Sequence, residues 1–178
     1  LQGDAATAWR FYQECLTLRR TIGDKRGVAA TLNDIANLTA KQGDSHAAYR
    51  HYQESLRLFQ ELGNQRGVVG ALSGLARLQQ VQGNLHLAVK LLSVVETHLS
   101  ALTARLDEPE HGDKAQAITM LRAQLDPVAF DAAWAAGSRL PLEQALILVG
   151  QNCEPWEGRP LTGTSKVSVT VCLQTMVE

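Results

Sequence analysis

No run of this chain approaches the roughly 18 consecutive apolar residues that would span a bilayer, and its start lacks the basic-then-apolar pattern of a secretory signal. Excess charge of one sign is missing too: 17 basic side chains face 18 acidic ones, so no overall field recruits nucleic acid or an anionic membrane. Aromatics make up only 5% of the residues, which leaves Leu, Ala and Val to build the interior and leans the chain toward helices. Cysteine is scarce. Cys15, Cys153 and Cys172 are odd in number and lack CxxC or zinc-ligand spacing, so free thiols in a reducing compartment are expected, with a Cys153 to Cys172 pair as the other reading. The expectation is a soluble, cytoplasmic protein whose 178 residues form one core.

Catalytic signatures are also lacking: there is no HExxH, P-loop, GxSxG or Rossmann fingerprint. His46 and His51 stand five apart, whereas shared metal ligation on a helix needs three or four. Asp107, Glu108, Glu110 and Asp113 cluster without EF-hand spacing and read as a solvated acidic loop. No catalytic residue, metal ligand or cofactor is assigned, and an enzyme is not expected. Arg19, Arg20, Lys25 and Arg26 read as partners for helix C-terminal carbonyls rather than phosphates. Trp9, Phe11 and Tyr12 read as packing in the core or against a helix ahead of them.

What the chain does have is a beat. Gly-Asp or Gly-Asn occurs at Gly3-Asp4, Gly23-Asp24, Gly43-Asp44, Gly63-Asn64 and Gly83-Asn84, each 20 residues after the last. Glycine ends a helix by taking the left-handed conformation just past its last turn, and Asp or Asn next to it can cap the following helix. One dipeptide thus stops one helix and starts another. The intervening 18 or so residues make rods of roughly 27 Å that turns this short force antiparallel. Apolar residues keep helical spacing, as in Val28, Leu32, Ile35, Ala36 and Thr39, then Ala48, Tyr52, Ser55, Leu56 and Phe59. The beat is 20 but the wording repeats at 40, with QGD at 2 to 4 and 42 to 44, QGN at 82 to 84, and YQE at 12 to 14 and 52 to 54. The repeating unit is therefore a helix pair, which must stack on its neighbours to bury its stripes.

This pattern resembles the tetratricopeptide repeat in a longer, roughly 40-residue form. The residues carrying the resemblance are Leu32, Ile35, Ala36, Gly43, Ala48, Tyr52 and Ser55, then Leu72, Leu75, Ala76, Gly83, Ala88, Leu92 and Val95, with Gly3, Ala8, Tyr12 and Cys15 as a leading half unit. Thr39 and Gln79 depart from it, standing where the family prefers an aromatic, and no proline closes the second helix. The resemblance implies an all-α, right-handed α-solenoid of antiparallel helix pairs and a protein- or peptide-binding module. It also implies a groove lined by the first helix of each pair, here by Asn33, Asn37 and Lys41, then Ser73, Arg77 and Gln80.

The expected organisation is a half repeat over 1–23, repeats over 24–63 and 64–106, capping helices over 107–149, and a turn-rich tail over 150–178. A long helix is read over 84–106, a restart behind Asp113, a helix capped by Asp126 with Pro127 at its first position, and a last one opened by Pro141. Ala129, Phe130, Ala133, Trp134 and Gly137 resemble the closing segment that follows such repeats in bacterial signalling ATPases and LuxR-type regulators. The alternating end, VSVTVCLQTMVE, reads as a disordered tail, a strand pairing between chains, or the remnant of a following domain. GRPLT gives no basis for DNA binding by this segment. Self-association through the first helix or the final strand is the alternative to partner binding.

Overall fold

The computed structural model describes residues 2–103 and 112–152. The expectations for the acidic loop, the strand-like end, Cys153 and Cys172 fall outside those residues. The described residues form eight α-helices and no strand: α1 Gln2–Thr21, α2 Lys25–Lys41, α3 Ser45–Glu61, α4 Gln65–Val81, α5 Leu85–Thr103, α6 Gly112–Gln124, α7 Pro127–Ser138 and α8 Leu142–Asn152.

Four of the five glycine beats fall between helices. Gly23, Gly43, Gly63 and Gly83 have φ of +73°, +88°, +62° and +82°, a region a side chain disfavours. Each turn closes with the same pair of backbone bonds: the Asp24 amide donates to Arg19 O and the Gly23 amide to Arg20 O, and the other three turns repeat this. The next residue then starts the new helix. Asp24, Asp44 and Asn64 accept from the amides of Gly27, Ala47 and Gly67 at 2.8, 2.9 and 3.1 Å. Asn84 behaves differently, its side-chain amide donating back to Gln79 Oε1 at 2.8 Å.

The remaining beat corrects the reading, because Gly3-Asp4 lies inside the first turn of α1. Among the described residues no helix precedes it for the glycine to end.

Successive helices pack as pairs, α2 most extensively on α3 and α4 on α5, with α1 against α2 and α3 against α4. The first helices α2 and α4 also meet directly, whereas the second helices α1, α3 and α5 scarcely touch one another. The stack therefore curves, with α2 and α4 on its inner side. Its core runs through every pair, from Leu32, Ile35 and Ala36 through Tyr52 and Leu56 to Leu72, Leu75, Ala76, Ala88 and Leu92, all buried. The two departures at the aromatic position are buried as well: Thr39 Oγ1 donates to Ile35 O at 2.7 Å, and Gln79 receives the Asn84 amide. A second glycine in the repeat also has its reason, since a Cβ on Gly67 would lie 2.3 Å from the Phe59 ring of the preceding helix.

Beyond the repeats, α7 rather than α6 covers α5. Asp126 caps α7 through the amides of Val128 and Ala129, both at 3.1 Å, with Pro127 at the first position as expected. Three readings are adjusted here. Helix α6 begins at Gly112, one residue ahead of Asp113. Helix α8 runs through Gly150 to Asn152, so the helical part extends past the expected boundary at 149. The closing helices also do more than cover the end of the stack, because α8 touches α5 and its Val149 carbonyl accepts a long 3.5 Å bond from Tyr49 Oη of α3. Among the described residues one helix, α5, is long and apolar enough over 85–102 to cross a membrane by length and composition, with mean hydropathy 1.3. Burial between α4 and α7 demands that character, with Val89, Leu91, Leu92, Val94 and Val95 all in the core.

Candidate protein-binding surface

The side chains expected to line the inner side come from α2 and α4, one unit apart. A 40-residue repeat places Asn37 and Arg77 at the same position of successive first helices, and stacking brings them together: Arg77 Nη2 donates to Asn37 Oδ1 at 2.7 Å. The same oxygen accepts from Tyr52 Oη at 2.7 Å, so α2, α3 and α4 are tied at one half-buried atom. Burial raises the Tyr52 pKa, and the nearby Arg77 guanidinium opposes that shift. The Tyr52 ring fits closely against α4 because position 74 is glycine; a Cβ there would stand 2.3 Å from the ring.

Asn33, one turn earlier on α2, has its Oδ1 buried without a hydrogen-bond partner. An acceptor shielded from water and left unpaired is costly to stability. Ser73, its counterpart one unit on, is half-buried, as is Gln80, while Lys41 is exposed at the end of α2. Among the described residues, no hydrogen bond joins Lys41, Ser73 or Gln80 to the Asn37–Arg77 pair. The six expected residues thus divide into a bonded pair, one unpaired acceptor and three flanking side chains.

One participant was not evident from sequence. Tyr52 reads as an apolar core position, yet its hydroxyl holds Asn37. Asp34, next to Asn33 in sequence but exposed, lies outside that network; its carboxyl pKa is raised by partial desolvation, with Arg19 of α1 pulling the other way. Arg19 itself corrects an expectation: its Nη1 donates to Gly27 O at 2.9 Å and Thr31 Oγ1 at 2.6 Å, in the first half of α2 rather than at a helix C-terminus. Arg20 instead pairs at the surface with Glu54 at 3.1 Å. Of the early aromatics, Tyr12 packs against the core, whereas Trp9 and Phe11 are exposed.

Antiparallel helix pairs stacked in a curve, with polar side chains on the inner helices, define an α-solenoid scaffold. A tetratricopeptide repeat family model matches residues 1–61 and 27–97, together more than half of the chain, and the chain belongs to that family. Tetratricopeptide repeats generally mediate protein–protein interactions and are typically non-catalytic. No curated protein and no solved structure matches the chain.

Proposed function

We propose that this chain is a non-catalytic module that binds a protein or peptide along the inner side of its stack, through Asn33, Asn37, Lys41, Ser73, Arg77 and Gln80. The observation that supports the reading is the Asn37–Arg77 bond, which sets polar side chains of α2 and α4 side by side on the inner helices. An acceptor and a guanidinium held on rigid helices can meet the alternating donors and acceptors of an extended backbone, or a carboxylate. The setting we propose is a larger bacterial, cytoplasmic signalling or transcription-regulating protein. What supports it is the resemblance of Ala129, Phe130, Ala133, Trp134 and Gly137 to the closing segment of such regulators.

Affinity capture with the wild-type chain and an Asn37→Ala/Arg77→Ala variant tests the assignment. The account expects the variant to lose a partner that the wild type retains while its helicity is unchanged. Equal recovery by both proteins rejects the groove residues.

A further inference from the structure

The last two helices are held in different ways. Helix α7 is locked to α5: Gly137 leaves no room for a side chain against Lys90 O and Ser93, and Ser93 Oγ donates to Trp134 O at 2.7 Å. Helix α8 rests on a stripe instead, Leu142, Ala145, Leu146 and Val149, at the i, i+3, i+4, i+7 spacing of one helical face. Ala145 and Val149 are buried, and Leu142 and Leu146 pack on the core. Its seat is the gap between α3 and α5, which scarcely touch each other. One end lies by the last turns of α5, where Leu142 shares a cleft with His98, Ala101 and Leu102; the other lies by the first turns of α3, where Tyr49 meets Val149.

Three features make this a seat that α8 can leave. The bond from Tyr49 Oη to Val149 O is 3.5 Å long, at the limit for a hydrogen bond. Tyr49 Oη also accepts from Gln53 Nε2 at 2.7 Å, so departure of α8 does not orphan the hydroxyl. The Leu142 end is underfilled, with a cleft of about 120 Å³ that forfeits packing contacts. We infer that α8 is a displaceable strap over a helix-binding groove between α3 and α5, and that the groove's other occupant is an amphipathic helix of a partner protein carrying the same Leu-x-x-Ala-Leu-x-x-Val stripe. The strap stays tethered to α7 through residues 139–141, and as a competitor it lowers the partner's apparent affinity by the fraction of time the groove stands open. This seat lies on the second helices, apart from Asn37 and Arg77, so its failure leaves the inner-groove reading intact.

The test uses the full chain and a fluorescein-labelled peptide of residues 139–152. The wild type is compared with Ala145→Asp/Val149→Asp, in which buried charge keeps α8 from its seat. By fluorescence anisotropy the variant is expected to bind the peptide roughly tenfold more tightly than the wild type, whose own α8 competes. Val149→Ala, which weakens α8 without burying charge, is expected to fall between the two and decides the question if the double variant fails to fold. Equal binding by the three chains overturns the inference, because the peptide then sits elsewhere, and so does an absence of binding to any of them. A wild-type dimer that trades α8 between copies, seen by sedimentation, overturns it as well, since a second copy would then be the occupant.

Discussion

Helix α5 is covered by α4 on one side and by α7 on the other, and the first contact is made by side chains where the second brings backbone close to backbone. The α4–α5 pair buries Leu72, Leu75 and Ala76 with Ala88, Leu92 and Val95, at the positions where the α2–α3 pair 40 residues earlier buries Leu32, Ile35 and Ala36 with Ala48, Tyr52 and Ser55. At α7 there is no such register. A Cβ on Gly137 would lie 2.4 Å from Lys90 O and 2.7 Å from Ser93 Cβ, and Ser93 Oγ donates to Trp134 O at 2.7 Å. Repeated pairs tolerate variation because many small contacts share the burial. The closing contact depends on one missing side chain, so it should fail more locally.

The largest expected effect lies in the repeated part. Leu72→Ala removes a fully buried side chain from the α4 side and should cost about 2–5 kcal/mol in urea unfolding. A cost below about 1 kcal/mol would mean that the pairs are not the principal core. Gly137→Val should cost about 1–3 kcal/mol by forcing the helices apart, with faster hydrogen exchange in α7 and none of that change in α2 or α3. Uniform acceleration along the chain would erase the distinction between the two regions.

Smaller effects sharpen the repeat itself. Gly43→Ala has free space around the added methyl but must hold φ near +88°, so about 1–2 kcal/mol is expected from backbone strain alone. Gly70→Ala, on an exposed helical site with open space, is the control and should be neutral or slightly stabilising.

The smallest effect concerns pH. Because the fold raises the Asp34 pKa, the folded chain holds that proton to higher pH than the unfolded chain does. The stability this contributes is present at low pH and is lost as pH rises through the raised value. Asp34→Asn should therefore flatten the dependence of Tm on pH just above the ordinary carboxylate range and lift Tm slightly at neutral pH. An unchanged profile would show that the partial desolvation of this exposed carboxylate has no thermodynamic weight.

The punctuation of the repeats was legible because only glycine occupies a left-handed turn without penalty, and a fixed interval repeats that requirement. Gly3 misleads for the same reason: the residue type is there, but among the described residues no helix ends at it. Asn37 and Arg77 could be paired from their 40-residue spacing alone. The hydroxyl of Tyr52 could not, since helical periodicity marks a position as buried without saying where a polar tip points. Nor could the return of α8 to Tyr49, a contact across 100 residues through connections with no period. Periodic sequence encodes neighbours one repeat apart; aperiodic sequence leaves long-range contacts to packing.

The most direct test of the stack is a double-mutant cycle on Asn37→Ala and Arg77→Ala, measured by urea unfolding. Two half-buried side chains 40 residues apart can couple only if successive first helices lie side by side, and the account predicts non-additivity of about 0.5 kcal/mol or more. Strict additivity, with each single variant costing what it costs in the other's absence, would contradict it.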